Sequence, residues 1–422
     1  MTPFVLDAQR ALRSLAAIRR PTADAEQAMS DYCRAVWTCV VEPGDGVAGA
    51  LIQALGPEDA LREALGGRGR LAADAAEIDE REWRNAVDRW RPRLVAAPIE
   101  AALAQAAIGR ASLLVPGDAE WPGRVDDLGP YRPVAFWVRG RVGPIAGPGS
   151  SIAIVGARAS TAYGDRVASE ISGELAGRGV TVVSGAAYGI DGSAHRAALA
   201  VEGRTIALVA GGVDRLYPSG HAELLARIAA RGAILSEAPC GATPTRWRFL
   251  QRNRVIAAIS DGTVVVEAGG RSGSLNTAHH AADLGRPLGA VPGPVTSATS
   301  VGCHELLRAR LAECITSPED AAALIGLAGA LRAPETEAGG DRPYESRTDD
   351  RTRVRDALSP RAWRDVDDVA RRCGMSPAEV TGRLGLMLLD GEAERRDGRW
   401  RRAGKSDGGA PRSGPVPPRH PG

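Results

Sequence analysis

The sequence is poor in aromatic residues and contains almost no lysine. Phenylalanine, tyrosine and tryptophan make up 4% of its 422 residues, and Lys405 is the single lysine, so 52 of the 53 basic residues are arginine. The formal net charge is only +2. Overall charge therefore does not favour nucleic acid, and any basic binding site has to be local. Arginine suits such a site because its planar fork grips phosphate oxygens bidentately.

Paired cysteines and long apolar runs are also missing. None of the six cysteines forms a Cys-x-x-Cys pair, which argues against a zinc site. No run of about 18 apolar residues predicts a membrane span, and the N-terminus lacks the apolar core of a signal peptide. These absences predict a cytoplasmic protein with reduced thiols, no metal, no cofactor and no membrane partner.

Composition divides the chain into six predicted segments. Residues 1–21 are expected to be a flexible arm, and residues 22–110 a small helical domain of the SAM or helix-hairpin-helix type, because apolar residues recur there at helical spacing. Residues 111–330 are expected to form an α/β domain, and 331–349, rich in Gly, Pro and acids, a linker. A helix, helix, helix, hairpin pattern at 350–400 predicts a winged-helix domain, followed by a disordered tail at 401–422.

Residues 111–330 alternate apolar, β-branched runs with helical stretches. Such runs are typical of parallel strands buried on both faces, so they predict an α/β fold with an extended Rossmann-like, doubly wound, mainly parallel sheet. Strands are expected at 112–115, 134–138, 151–155, 180–183, 205–209, 233–236, 263–267 and 288–291. Ligands of such sheets bind beyond the carboxyl ends of the strands, where candidate site residues should lie.

Two of these strand ends carry glycine and polar residues. The strand ending at Val155 is followed by Gly156 and Arg158, an arginine fork beside backbone that a ligand can approach closely, although glycine kept for packing is an alternative. The next strand is followed by a second set of candidates, Ser184, Gly185, Tyr188 and Gly189. We expect Asp191 to cap the next helix and His195 to be packed, rather than either to be catalytic.

Residues 238–260 carry the strongest signal for nucleic acid. The segment has no acid, and Trp247 and Phe249 stand among its four arginines, Arg246, Arg248, Arg252 and Arg254. This pattern suits a single strand, because phosphates take the charge and bases stack on the rings. We expect Arg252, Asn253 and Arg254 to open a helix whose N-terminus adds partial positive charge. A solvated basic surface around a core tryptophan is the alternative.

A loop of alternating glycine and serine precedes the helix expected from Leu275. Its candidate residues are Gly270, Arg271, Ser272, Gly273 and Ser274. Such a loop before a helix N-terminus cradles phosphate, but no Gly-Lys-Ser/Thr follows, so nucleoside triphosphate hydrolysis has no support. Paired carboxylates and a Ser/His/Asp order are also missing, which favours a binding protein over an enzyme.

Taken in order, these motifs resemble the DprA/Smf (DNA-processing protein A) family. The resemblance spans about residues 30–400, although the two end segments match by type more than by motif. It rests on Ile-Val-Gly-Ala-Arg (154–158), Tyr-Gly (163–164), Val-Ser-Gly with Gly-Ile-Asp and Ala-His (183–195), Tyr-Pro (217–218), Leu-Ser-Glu (235–237), Arg-Asn-Arg-Val-Ile-Ala (252–257), Val-Val-Glu-Ala (265–268), Arg-Ser-Gly-Ser-Leu (271–275), Val-Pro-Gly (291–293) and Gly-Cys (302–303).

The resemblance implies a function. Members of the family bind single-stranded DNA in a basic pocket of the Rossmann-like domain, form homodimers through that domain, and load RecA recombinase on incoming strands in natural transformation. Carried over, Arg158, Arg252, Arg254 and residues 271–274 would line the pocket. Tyr188 and Gln251 stand where the family usually has basic residues. We therefore expect weaker, less salt-sensitive binding, with Tyr188 stacking on a base in place of a phosphate contact.

Two other functions stay open at this point. Related Rossmann-type nucleotide phosphoribohydrolases have a Gly-Gly-x-Gly-Thr loop followed by a catalytic glutamate, whereas here Arg-Ser-Gly-Ser follows Gly269-Gly270 and no acid appears until Asp283. A transcription regulator would use the winged helix at 350–400. Its expected recognition helix at 376–390 has a single arginine, Arg383, which is too few for reading base edges, so a protein contact is expected there.

Overall fold

The computed structural model describes residues 4–19, 24–66, 75–143, 145, 149–327 and 350–403. They belong to two compact units, with the division between Ala333 and Pro334. The linker expected at 331–349 lies outside the described residues, as does 404–422 of the expected tail. The tail expectation is wrong for Arg401 and Arg402, which belong to the last strand of the second unit.

A nine-stranded sheet forms the centre of the first unit and confirms the predicted fold class. Its strand order is β1-β2-β6-β5-β4-β3-β7-β8-β9; β2 pairs antiparallel with both β1 and β6, and the seven strands from β3 to β9 run parallel to one another. The strands are β1 (Ser112–Leu114), β2 (Phe136–Gly140), β3 (Ser151–Val155), β4 (Thr181–Ser184), β5 (Thr205–Leu208), β6 (Ala233–Ser236), β7 (Gly262–Val265), β8 (Leu288–Ala290) and β9 (Glu313–Cys314).

Strands β3 to β8 are buried along their whole length, because helices cover both faces of the sheet. Alternate residues of β3 feed opposite layers: Ala153 and Val155 pack in one apolar cluster, Ile152 and Ile154 in the other. None of the described helices is long and apolar enough to span a membrane. The helices of this part are α6 (Ala162–Gly177), α7 (Ile190–Ala200), α8 (Ala222–Arg231), α9 (Arg246–Ile259), α10 (Gly273–Asp283), α11 (Val301–Arg308) and α12 (Pro318–Leu324).

The helices before the sheet share its core. They are α1 (Ala8–Leu15), α2 (Ala25–Val40), α3 (Gly46–Gly66), α4 (Glu80–Trp90) and α5 (Ala96–Ile108), with α3 broken at Gly56, whose φ is 80°. Trp37 of α2 and Trp137 of β2 belong to one apolar cluster, and Trp137 Nε1 donates to Thr38 Oγ1 at 3.0 Å. The helices therefore pack directly on the antiparallel end of the sheet.

The flexible arm expected at 1–21 is wrong for residues 4–19. Phe4, Leu15 and Ile18 are buried in the shared core. Arg19 forms ion pairs with Asp31 and Asp118, the latter at 2.7 Å. Two arginines of this segment, Arg10 and Arg19, are therefore paired with acids elsewhere in the chain, and the sequence alone does not reveal these contacts.

The second unit has the helix, helix, helix, hairpin order predicted for a winged helix. It consists of α13 (Asp350–Ala357), α14 (Val366–Cys373), α15 (Pro377–Leu389), β10 (Ala393–Arg396) and β11 (Arg399–Arg402). A capping box between Ser376 and Glu379 starts α15, since each side chain bonds the backbone N–H of the other. Val354, Leu384 and Trp400 belong to the small core that joins the helices to the hairpin.

Candidate nucleic-acid interface

A crevice of about 810 Å³ opens beyond the carboxyl ends of β3 and β4. The neighbours of β3 are β4 on one side and β7 on the other, so the crevice lies where the strand order reverses, the usual ligand position in such sheets. Its walls are α9 and the loop and first turn of α10. A smaller cavity of about 40 Å³ adjoins it and shares Arg158, Tyr217 and Phe249.

The structure gathers most of the predicted site residues at this crevice. Nine line it: Gly156, Arg158, Arg246, Arg252, Asn253, Arg271, Ser272, Gly273 and Ser274. Gly185 and Tyr188 line the adjoining cavity. Five predicted residues line neither space: Ser184, Gly189, Arg248, Arg254 and Gly270. Ser184 is buried, with its hydroxyl donating to the Ile154 carbonyl oxygen at 2.6 Å.

Helix α9 begins earlier than the sequence suggested. The Thr245 hydroxyl caps it by accepting the Arg248 N–H at 3.2 Å, and the first helical residue is Arg246. The prediction that residues 252–254 open the helix is therefore wrong, since they lie in its middle. Helical spacing places Arg246 and Phe249 on the face that lines the crevice, so the positive N-terminus of α9 lies at this end.

The other face of α9 carries arginines that are already paired. Arg248 donates to both carboxylate oxygens of Glu42, each at 2.8 Å. Arg254 donates through Nη2 to Glu237 at 2.7 Å, and both of these side chains are buried or nearly so. Their charges are balanced inside the protein, and neither arginine is available to a ligand in the crevice.

Arg252 is the buried cation of the crevice. It is 7% exposed, its Nη1 donates to the Leu208 carbonyl oxygen at 2.9 Å, and among the described residues its Nε has no hydrogen-bond partner. Burial lowers its pKa to about 10, with Asp191 opposing the shift and Arg158 adding to it, so it stays charged at neutral pH. A Cβ at Gly185 would come within 1.7 Å of Nη1, so glycine makes room for this guanidinium.

The loop before α10 presents an anion-binding helix N-terminus. Ser272 caps α10, its hydroxyl lying 3.4 Å from the Ser274 N–H and 2.7 Å from the Ser274 hydroxyl. Asn253 of α9 donates to the Gly273 carbonyl oxygen at 3.1 Å and holds this turn in place. Arg271 is exposed beside it and forms no ion pair with any described residue. Backbone N–H groups, the helix dipole and a free arginine together favour phosphate.

Aromatic rings adjoin these cations. The guanidinium carbons of Arg158 and Arg252 lie 5.1 and 5.8 Å from the centre of the Phe249 ring, and Tyr217 packs against that ring at 6.0 Å. Tyr188 is 46% exposed, held edge-on against the His221 ring at 4.7 Å. No site role was predicted for Tyr217, although it follows the carboxyl end of β5, where ligands of such sheets bind.

Asp191 is not the helix cap that the sequence predicted. Gly189, with φ 74°, occupies the capping position of α7, and Asp191 lies inside the first turn. Its Oδ2 accepts the N–H groups of Gly185 and Ala187 at 3.1 and 3.3 Å. His195 is packed as expected: its Nδ1 bonds a β5 hydroxyl at 2.7 Å, and burial lowers its pKa to about 3.

The other buried acid near the crevice is also occupied. The Glu267 carboxylate accepts the Thr161 N–H at 2.9 Å and the Thr161 hydroxyl at 2.6 Å, with the Thr299 hydroxyl at 3.3 Å. Glu267 thereby fastens the start of α6. Across the described ranges, no group of three or more His, Cys, Asp and Glu side chains could hold a metal ion. The chemistry available at the crevice is anion binding and stacking.

Known proteins match the chain over both units. The family model of DNA recombination-mediator protein A matches residues 112–326, and that of the DprA winged helix domain matches residues 338–399. A DNA processing protein DprA of Mycobacterium tuberculosis is 41% identical over 386 residues, which are 88% of this chain and 94% of that protein. The DprA of Bacillus subtilis is 40% identical over 172 residues, 41% of this chain and 58% of that protein.

A solved structure matches the fold. The X-ray structure of DNA processing protein A from Streptococcus pneumoniae has a TM-score of 0.54 and 26% identity, covering 70% of this chain and 97% of that chain. The family model alone covers half of the sequence, and the mycobacterial relative covers most of it. This chain therefore belongs to the DNA recombination-mediator protein A family.

Proposed function

We propose that this chain binds single-stranded DNA in the crevice, as a recombination mediator and not as an enzyme. One observation carries the proposal: Arg158, Arg246, Arg252 and Arg271 line one crevice with no described carboxylate paired to them, directly beside the exposed ring of Tyr217 and the partly buried ring of Phe249. Cations that track phosphates, next to rings on which bases stack, are the two parts of a single-strand site.

The phosphates are expected on the α10 side. The N–H groups of the Ser272–Ser274 turn form the positive end of α10 at the crevice, and Arg271 lies beside them. Arg252 adds a positive charge that persists at neutral pH. Arg158 lies across the crevice at the end of β3. Each contact that neutralises a phosphate contributes about 0.7 to the slope of log affinity against log salt for a single strand.

The bases are expected on the aromatic side. The adjoining cavity is bordered by the rings of Phe249, Tyr217 and the half-exposed Tyr188. Each ring can stack on a base, and one such stack contributes about 1–3 kcal/mol. A duplex keeps its base faces stacked on one another, so this row of rings favours a single strand. Tyr188 stands where the family resemblance leads one to expect a basic residue. We predict that its ring stacks on a base in place of a phosphate contact.

Binding without catalysis is supported by the state of the nearby acids. The Glu267 carboxylate accepts hydrogen bonds from two threonines, and the Asp191 carboxylate accepts them from two backbone N–H groups, so both already serve as structural acceptors. The rival function is the release of the free nucleobase from a nucleoside monophosphate. That reaction would need a carboxylate that is not occupied in this way. Incubating the protein with nucleoside monophosphates and finding free base would establish that activity instead.

The partners follow from the family resemblance. We infer that the chain delivers its strand to RecA recombinase in natural transformation, works in the cytoplasm, and forms a homodimer through the sheet-containing unit. Light scattering of the purified chain tests the dimer, and strand exchange by RecA with and without the chain tests the delivery.

The binding itself is tested by titrating labelled single-stranded and duplex oligonucleotides at several salt concentrations. We expect the single strand to bind more tightly, and Arg158→Ala to lower both the affinity and the salt slope, the slope by about 0.7. Arg227→Ala, an exposed arginine of α8 outside both cavities, is the matched control. Equal binding of the two DNA forms, or equal effects of the two variants, would overturn the proposal.

A further inference from the structure

One carboxylate lies among the described residues that line the cationic crevice. Asp191 is 6% exposed and comes from the first turn of α7, where it reaches the crevice opposite Arg252. A negative charge in a site for phosphate repels the ligand, so its presence requires a physical reason.

The contacts of Asp191 give two reasons. Its Oδ2 accepts the N–H groups of Gly185 and Ala187, and these residues border the adjoining cavity where bases are expected. Its charge also faces Arg252, which burial would otherwise leave poorly compensated. Arg252 and Asp191 do not form a direct ion pair, so part of the guanidinium stays available to the crevice.

We propose that Asp191 is a positioning residue that holds the 185–187 backbone and balances Arg252 while the crevice is empty, so that a bound strand is released readily. The inference rests on the proposed binding of single-stranded DNA. A phosphate that enters takes over the balancing of Arg252 and is at the same time repelled by Asp191. The carboxylate thus acts as a built-in competitor that weakens binding and speeds dissociation.

Proton uptake provides a second consequence. Arg252 of α9 is the charged group that acts on Asp191, and Arg158 lines the same crevice. His195 follows one turn along α7, and His221 bonds the Ala186 carbonyl oxygen in the segment that Asp191 holds. Burial raises the pKa of Asp191, and a phosphate beside it raises that pKa further. Affinity for the strand should therefore increase as the pH falls toward the pKa of Asp191, because protonation removes the repelling charge.

The test measures affinity and dissociation of a fluorescein-labelled twenty-nucleotide oligothymidylate with the full chain. Asp191→Asn keeps one oxygen to accept both N–H groups and removes the charge. We expect binding tighter by about three- to tenfold, slower dissociation and an unchanged salt slope, because no phosphate contact is added. Glu170→Gln, an exposed acid of α6 outside both cavities, should leave all three unchanged.

The outcomes separate this inference from the proposed function. If the wild-type chain does not bind the oligonucleotide, both fail. If it binds and Arg252→Ala loses affinity, but folded Asp191→Asn binds no tighter, the inference alone fails. Should Asp191→Asn not fold, calorimetry of the wild type at acid pH in two buffers of different ionisation heat decides: uptake of a proton on binding supports the inference, and none overturns it.

Discussion

Removing Arg254 should destabilise the fold and leave DNA binding intact. The side chains of Arg254 and Glu237 are 5% and 10% exposed, and they are joined at 2.7 Å. In Arg254→Ala the Glu237 carboxylate stays buried without its counter-ion, and breaking a buried pair in this way costs about 3–5 kcal/mol. Arg254 does not line the crevice, so the salt slope of single-strand binding should not change.

Urea unfolding, followed by tryptophan fluorescence, measures the first effect, and oligonucleotide titration the second. The double variant Arg254→Met with Glu237→Leu removes both charges and keeps most of the volume, so it should recover most of the lost stability. If Arg254→Ala is as stable as the wild type and its salt slope falls by about 0.7, Arg254 contacts a phosphate and the reasoning is refuted.

The stability lost in Arg254→Ala should depend on pH. Burial raises the pKa of Glu237, and Arg254 opposes that shift, so its removal raises the pKa further. Below this pKa Glu237 is buried as the neutral acid, which costs less than burying the ion. The deficit of Arg254→Ala relative to the wild type should therefore shrink between pH 8 and pH 5, and an equal deficit at both values would contradict the explanation.

Two further changes test the buried groups around the crevice. Gly185→Ala places a Cβ 1.7 Å from the Arg252 guanidinium, so we expect the free energy of unfolding to fall by about 1–3 kcal/mol in melting experiments and strand binding to weaken. The control Gly273→Ala, whose Cβ would have nothing within 4 Å, should melt like the wild type. His195, whose pKa burial lowers to about 3, stays neutral while the unfolded chain protonates, so stability should fall by up to about 2 kcal/mol from pH 6.5 to 5. His195→Asn should lack this loss, and an equal loss in both would exclude His195 as its source.

The fold could be predicted well where burial is complete. Strands β3 to β8 are mostly apolar and buried along their length, and parallel strands covered on both faces typically combine such runs with helical connections. The edge strand β9 was missed because Glu313 and Cys314 are exposed and only two residues pair. The packing of residues 4–19 was missed because the acids that fix Arg19, Asp31 and Asp118, lie far along the chain.

The candidate site could be predicted less completely. Glycine-rich strand ends located the crevice, because the carboxyl edge of a parallel sheet is determined by topology. The role of Asp191 was missed, since a carboxylate after a glycine resembles a helix cap until its partners are known. Tyr217 was missed because it enters the crevice from a loop that is read from sequence simply as a turn.

The arginines of α9 show why a basic run does not by itself define a binding surface. The segment has two Arg-x-Arg pairs, 246/248 and 252/254, and residues two apart in a helix lie about 200° around its axis. One member of each pair must therefore face the crevice and the other the body of the protein. The inward members meet Glu42 and Glu237, and this pairing cancels their charge. Counting the arginines of α9 overestimates the positive charge that this helix contributes to the site by a factor of two. Only the phase of the helix, fixed by the cap at Thr245, identifies the two arginines that have no carboxylate partner among the described residues.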